Sequence, residues 1–293
     1  KGEQEKVENE IFPIISRKQD NSIIIDSSKY KPVFVPGSQW RISSHNAEQG
    51  GTNLIKTIIP GKKFPFPKSL YAVEDALRFF IKDKTNAIVL DFFAGSGTTS
   101  HAIMRLNKQD NGSRQCISIT NNEVSADEQK TLIKKGLRPG DEDWEKWGIC
   151  DYVTKPRIEA TISGKTPEGI SIKGDYKFTD KFPMSDGFKE NAEFFTLTYE
   201  TPISISYNLA FEHIAPLLWM RAGSKGKRIN SIPDSGWAVT DTYGVLFDLD
   251  KSSKFYNAID TESDIKIAYI VSDDDRRFQS IAKRLPRGVE PVR

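Results

Sequence analysis

Cysteine is scarce in this sequence: Cys116 and Cys150 are the only two among 293 residues. They fit no metal-ligand spacing and sit beside apolar neighbours, as small buried hydrophobes do, so they are expected to be reduced and structural, in a cytosol. Histidine is nearly as rare, and His45, His101 and His213 lie too far apart to share a ligand spacing, which argues against a metal site. No apolar run approaches the roughly 18 residues that a membrane-crossing helix needs. Lys1 to Glu10 are charged, unlike a signal peptide, so no membrane partner is expected. Net charge is also missing: 42 Lys and Arg against 40 Asp and Glu leave +2. Composition therefore gives no global footprint for nucleic acid, and any DNA contact has to come from local patches.

What is present is enough apolar material, 37% of the chain, for one large α/β domain or two smaller ones. The sequence starts at Lys1-Gly2-Glu3 without methionine, and it is expected to be part of a longer polypeptide. Residues 1–66 read as an irregular extended arm, because short apolar runs such as Ile23-Ile24-Ile25 and Val33-Phe34-Val35 are interrupted by Pro32, Pro36, Gly37, Gly50 and Gly51. Ala72, Val73, Ala76, Leu77 and Phe80 recur at helical spacing behind Ser69, which predicts a capped helix ending near Lys84.

Ala87 to Phe92 is an apolar run of strand length, followed by Ala94-Gly95-Ser96-Gly97 and a helical pattern through Thr99, Ala102, Ile103 and Leu106. Gln115 to Asn121 reads as a second strand, and Ser125 with Glu128 forms a capping box for a helix stopped at Gly136. A short helix around Trp144 and another over Arg157 to Ile162 follow. Strands alternating with helices predict a parallel, doubly wound sheet. Residues 163–190, rich in Gly, Pro and Asp, read as a connector or hairpin insertion. Beyond them the pattern predicts a strand at Phe194 to Tyr199, a helix at Leu209 to Arg221, a hairpin through Trp237 to Phe247, and a final strand and helix at Ile265 to Val271 and Phe278 to Leu285.

The strongest chemical signal is Asp91-Phe92-Phe93-Ala94-Gly95-Ser96-Gly97-Thr98-Thr99. In an open parallel sheet ligands bind beyond the carboxyl ends of the strands, where glycines allow close backbone approach and the following helix offers free N–H groups. A nicotinamide fingerprint needs a third glycine where Ser100 stands, and a Walker loop needs Gly-Lys-Ser/Thr; neither is met.

The string resembles the Asp-x-Phe-x-Gly-x-Gly-Thr-Thr signature of S-adenosylmethionine-dependent DNA amino-methyltransferases. Pro65-Phe66-Pro67-Lys68-Ser69 resembles the Pro-Lys motif that precedes the glycine turn in their permuted β class. Thr120-Asn121-Asn122-Glu123 and Asp151 to Ile158 resemble the segments that follow. The likeness, running from about Thr52 to about Leu285, is greatest to the modification subunits of type III restriction systems and related site-specific adenine methyltransferases.

That resemblance implies a Rossmann-like, partial and permuted methyltransferase sheet. It implies an S-adenosylmethionine-binding half at 67–163, a connector at 164–190 and a further α/β region at 191–293. It also implies roles. Asp91 faces the ammonium of the cofactor, Phe93, Ala94, Gly95 and Gly97 offer backbone to its amino-acid part together with Thr98 and Thr99, Glu123 accepts from the ribose hydroxyls, and Lys68 faces the carboxylate. The plain alternatives are a solvated charge for Glu123 and an exposed lysine at a helix start for Lys68. Methylating an adenine amino group needs a flipped base, acceptors on its nitrogen and a stacked aromatic ring, which the family supplies from an Asp-Pro-Pro-Tyr-type tetrapeptide. No Pro-Pro dipeptide occurs in this sequence. In the permuted class that motif lies upstream, so no catalytic residue is assigned within residues 1–293, and isolated activity is not expected.

Implied partners are DNA, reached through the longer protein, and either a restriction subunit or a second copy of the chain. Two further readings stay open: a non-catalytic methyltransferase-fold module for assembly or DNA binding, and a small-molecule or RNA methyltransferase. Arg221, Lys225, Lys227 and Arg228 are a phosphate-contacting loop or a solvated basic one.

Overall fold

The computed structural model describes residues 14–25, 39–40, 42–178, 180–197, 199, 201–206 and 210–293. The chain divides into two compact units, Lys1–Ala192 and Glu193–Arg293. The run Val33-Phe34-Val35 and the expected helix start at Leu209 lie outside the described residues.

In the first unit β1 (Ile14–Arg17) and β2 (Ile23–Ile25) pair as an antiparallel ribbon. A π-type turn at Glu48–Asn53 runs into α1 (Leu54–Ile58). Residues 43–59 are thus not an irregular arm: Leu54, Ile55, Ile58 and Ile59 are buried in the core. The reason is a contact with residues 67–69. A Cβ on Gly51 would stand 2.5 Å from the Pro67 carbonyl oxygen, and one on Gly50 would strike the Ser69 side chain. These glycines admit a close backbone approach rather than break a structure.

Helix α2 (Leu70–Ile81) forms where its periodicity places it, three residues shorter than expected. Ser69 has the extended backbone of a cap, but its hydroxyl donates to the Ser44 carbonyl at 3.1 Å instead of capping the helix. The far end is closed by Arg114, whose guanidinium donates to the carbonyls of Ile81 (3.0 Å) and Lys82 (2.9 Å), a favourable place for a cation. Then come β3 (Ile88–Asp91), α3 (Thr98–Asp110) and β4 (Gln115–Ser118), with β3 and β4 parallel and in register from Ile88 opposite Gln115 to Asp91 opposite Ser118. Ser125 accepts from the Glu128 amide at 3.4 Å and starts α4 (Ala126–Lys134). Helix α5 (Glu142–Glu145), a π-type turn at Cys150–Thr154 and α6 (Lys155–Ser163) follow.

The β3–β4 sheet is smaller than the doubly wound sheet read from the sequence, and among the described residues helices cover one face only. Val89, Ala87 and Cys116 pack toward Leu77, Ile81, Ile103 and Leu106 of α2 and α3. The alternate residues point away: Ile88 is 65% exposed, Leu90 51% and Ile117 48%. A large apolar side chain left in water forgoes about 1.5–3 kcal/mol relative to full burial.

The 164–190 stretch makes two antiparallel bridges, Lys165 with Ser171 and Asp175 with Pro183. It also puts Ile172, Tyr176, Met184 and Phe188 into the same core as α1 and α6. At its centre lie buried polar groups. Arg105 is sandwiched among the rings of Tyr71, Tyr176 and Phe182 and donates to Glu74 Oε2 at 2.6 Å. His101 contacts the Tyr176 hydroxyl through Nε2 at 2.8 Å.

In the second unit α7 (Pro202–Ser206) and α8 (Phe211–Arg221) precede a four-stranded sheet of β5 (Trp237–Val239), β6 (Tyr243–Leu246), β7 (Ile267–Ile270) and β8 (Glu290–Val292), in that order. The expected hairpin is β5–β6; β6, β7 and β8 run parallel. Helices α9 (Ser252–Thr261) and α10 (Asp275–Ala282) fill the crossovers. Here both faces are covered: Tyr243, Val245, Ile267 and Tyr269 meet α8, while Leu246, Ala268 and Ile270 meet α9 and α10. This explains why β6 and β7 are continuous apolar runs rather than alternating ones. No regular strand forms among the described residues at 194–199, where Leu197 and Tyr199 are exposed.

Burial, with Arg157 and Arg105 nearby, holds the His101 imidazole well below the usual histidine value of 6.5. The folded protein therefore takes up fewer protons than the unfolded chain once the pH drops below 6.5, and stability contributed by neutral His101 is full above that value and declines as pH falls. The slope reaches at most about 1.4 kcal/mol per pH unit from one such group. Denaturant titrations of the wild type between pH 8 and 5 should show this acid-side decline, and His101→Gln should flatten it; equal slopes for the two would contradict a buried neutral His101.

Candidate cofactor-binding site

The site is built at the carboxyl end of β3. Asp91 accepts the Phe93 amide on Oδ1 at 3.1 Å, and its other oxygen has no hydrogen-bond partner among the described residues. The chain then turns through Gly95 (φ +51°) and Gly97 (φ +74°) into α3, with the Gly97 amide on the Ala94 carbonyl at 2.8 Å. Positive φ is why glycine stands at these two places. The turn is tied to the neighbouring strand exit: the Ala94 amide donates to the Ile119 carbonyl at 3.1 Å and the Ile119 amide to the Asp91 carbonyl at 2.8 Å.

Four residues beyond Ile119, Glu123 is exposed, and its carboxylate has no hydrogen-bond partner among the described residues. Its backbone is fixed, because the Ile149 amide donates to the Glu123 carbonyl at 2.9 Å. Asn122 beside it donates to the Glu145 carbonyl at 2.7 Å and accepts the Asp151 amide at 3.1 Å. The Thr154 hydroxyl reaches the carbonyls of Gly95 (2.5 Å) and Ile149 (3.1 Å). The segment 149–154 therefore ties the glycine turn to the acidic strand end through the Gly95 and Glu123 carbonyls; Asp91, Phe93, Ala94, Gly95, Gly97, Thr98 and Thr99 lie along that turn and Glu123 at the strand end.

Within this group the side chains divide. Phe93 is 91% exposed and Thr99 half-buried, whereas Ala94 and Thr98 are buried. The Thr98 hydroxyl is turned inward, 3.2 Å from the Ser96 hydroxyl and 2.9 Å from Arg157. A Cβ on Gly97 would meet Thr154 Cγ2 at 3.3 Å and Ile158 Cγ1 at 3.5 Å, so α6 and the residue before it approach the turn closely at Gly97. Gly95 is the more open position, with Phe64 Cζ its nearest neighbour at 3.6 Å. Phe64 brings the Pro65 to Lys68 segment toward the turn. Lys68 itself is exposed and lines an open, mainly apolar groove of about 840 Å³ with Phe64, Phe66, Ala72 and Leu77. None of the glycine-turn residues lines that groove.

Asn122, Thr154 and Arg157 escaped the sequence reading. The Asp151 to Ile158 string was visible as a family-like segment, but nothing in one sequence says that its Thr and Arg face a turn about sixty residues earlier. In the second unit the two arginines of the basic loop are paired, Arg221 with Glu290 at 2.7 Å and Arg228 with Glu193 at 2.8 Å. Both cysteines are free, and burial raises both thiols.

The donor set suits S-adenosylmethionine, which combines a carboxylate, an ammonium and a ribose diol: two carboxylates with unengaged oxygens flank a glycine turn at a helix N-terminus. Comparison with known proteins points the same way. Residues 5–131 match the sequence model of a DNA methylase family, a stretch that contains all nine candidates. The chain is similar to the Type III restriction-modification enzyme EcoPI Mod subunit of Escherichia phage P1, 38% identical over 135 residues, which is 46% of this chain and 19% of that protein. The EcoP15I Mod subunit of Escherichia coli is 30% identical over 154 residues, 46% of this chain and 24% of that one. Type II methyltransferase M.KpnI of Klebsiella pneumoniae is 41% identical over 96 residues, 33% of this chain and 22% of its own length. The resemblance is thus to DNA methylases, and among them to type III modification subunits. The matched stretch spans about a fifth of the length of these relatives.

The two positive-φ glycines permit a controlled test of the turn. Gly61 has a similar φ of +77° with nothing within 4 Å of an added Cβ, so Gly61→Ala reports conformational strain alone, about 1–2 kcal/mol. Gly97→Ala adds contact with Thr154 and Ile158 and should cost more by urea denaturation; a smaller loss than Gly61→Ala would mean that α6 does not press on the turn.

Proposed function

We propose that residues 67–163 hold S-adenosylmethionine for a site-specific DNA adenine-N6 methyltransferase of a restriction-modification system, and that the groups activating the base come from outside residues 1–293. The observation that carries this reading is the clamp of segment 149–154 on both the Gly95–Gly97 turn and the Glu123 strand end, the turn and the strand end lying within the stretch that matches a DNA methylase family.

The cofactor supplies a methyl group on a sulfonium, already activated for transfer. The residues of this chain bind and orient it. Asp91 accepts from the ammonium, Glu123 from the ribose hydroxyls, and the backbone from Phe93 to Thr99 meets the amino-acid end, with Lys68 as a cation for the carboxylate. Orientation of this kind lowers a barrier only when the second reactant is held as well. A flipped adenine needs acceptors for its amino group and a ring to stack on, and the sequence has no Pro-Pro tetrapeptide to provide them. The exposure of Ile88, Leu90 and Ile117 on one face of β3–β4 among the described residues supports the same division, since exposed apolar surface marks a place where a partner surface docks. DNA and a restriction subunit are the partners this reading implies.

Calorimetry with S-adenosylhomocysteine tests the binding half. Glu123→Ala should weaken affinity by roughly 1.5–3 kcal/mol, the scale of hydrogen bonds to a charged acceptor, or about tenfold or more; unchanged affinity would leave Glu123 a solvated charge. Transfer of labelled methyl groups to duplex DNA should be absent from residues 1–293 alone and present in a longer polypeptide that carries an Asp-Pro-Pro-Tyr-type segment upstream. Transfer by the short chain, abolished by Asp91→Ala, would overturn the division.

A further inference from the structure

Beneath the glycine turn lies a cation that neither the sequence pattern nor the proposed cofactor contacts explain. Arg157, in the first half of α6, is fully buried. Its Nη1 shares its two hydrogens among the Ser96 carbonyl at 3.0 Å, the Ser96 hydroxyl at 2.9 Å and the Thr98 hydroxyl at 2.9 Å. Its Nη2 lies 3.4 Å from His101 Nδ1. Because guanidinium only donates, Nδ1 is the accepting nitrogen, and the proton sits on Nε2, where it is donated to Tyr176. Arg157 Nε has no hydrogen-bond partner, and no carboxylate pairs with the guanidinium among the described residues.

A buried cation without a counter-ion costs several kcal/mol even with hydrogen bonds to neutral oxygens. The neighbourhood adds to the positive potential instead of cancelling it. Helix α3 begins at Thr98, and its first turn contains no acidic residue, so the positive end of its dipole lies next to the same turn. Burial lowers the Arg157 value only to about 10, so the guanidinium keeps its charge at neutral pH. His101, neutral, adds none.

We infer that Arg157 is a positioning residue for the cofactor's amino-acid end: it sets the shape of the Ser96–Thr98 turn, and its charge is offset only when the ligand's carboxylate arrives above that turn. The inference rests on the cofactor reading given above and assigns to that site a residue outside the 5–131 stretch. The contribution belongs to one part of the ligand. The adenosine half, which Glu123 serves, lies beyond the four atoms that Arg157 engages, so loss of Arg157 selects between ligands that have the carboxylate and ligands that lack it.

The test compares S-adenosylhomocysteine with methylthioadenosine, which retains the nucleoside and sulfur but lacks the amino-acid group, by titration calorimetry or competition on the full-length protein. Arg157→Met should weaken S-adenosylhomocysteine at least tenfold and change methylthioadenosine by less than about twofold. Arg157→Lys retains the charge but cannot reach three acceptors with a fixed fork, and should fall between. Circular dichroism establishes that each variant is folded; if Arg157→Met is not, Arg157→Lys decides by the same ratio. Equal weakening of both ligands, or undiminished S-adenosylhomocysteine binding in a folded variant, would overturn the inference and reduce Arg157 to a core residue. Failure of the wild type to bind either ligand would instead overturn the cofactor reading, and this inference with it.

Discussion

The first unit depends on the grip of α6 and the turn before it on the loop after β3. Thr154 and Arg157 engage that loop and the start of α3 at three residues, through the Gly95 carbonyl, the Ser96 carbonyl and hydroxyl, and the Thr98 hydroxyl. A backbone in positive φ at two glycines is not a low-energy path by itself and persists when its surroundings over-determine it. Here the surroundings are hydrogen bonds from below and the strand contact of Ala94 with Ile119 from the side. The same grip reaches the 164–190 stretch through His101 and Tyr176. A segment that reads as a connector is in this way part of what shapes the site.

The two units treat their sheets differently, and the contrast bears on function. In the second unit every residue of β6 and β7 is buried, with helices on both faces. In the first, α2 and α3 cover one face of β3–β4, while Ile88, Leu90 and Ile117 on the other stay exposed among the described residues. Parallel sheets are ordinarily covered on both faces. At the end of β3 Phe93 is exposed as well.

Much of the first unit is legible in the sequence because its signals are local. The 3.6-residue spacing of α2, the glycines before α3 and the Ser125–Glu128 cap each name an element within a few residues of its position. What fails is non-local. Gly50 and Gly51 look like breaks until the Pro67 carbonyl is seen against them. Phe194 to Tyr199 has strand composition, but a strand needs a partner edge, and none is paired to the described residues there. Conversely Pro291 hides β8, since proline is tolerated in an edge strand that leaves its nitrogen unpaired. In the site, motif residues on one turn are readable, whereas the Arg157 and Thr154 contacts join positions 56 to 61 residues apart and leave no spacing to detect.

Photo-crosslinking tests whether S-adenosylmethionine is held at the ends of β3 and β4, as proposed above. Ultraviolet irradiation of the full-length protein with methyl-labelled S-adenosylmethionine, followed by proteolysis and mass spectrometry, should place the label on peptides spanning 91–99 or 120–124, and excess S-adenosylhomocysteine should suppress it. Label confined to 193–293, or label unaffected by the competitor, would contradict the claim.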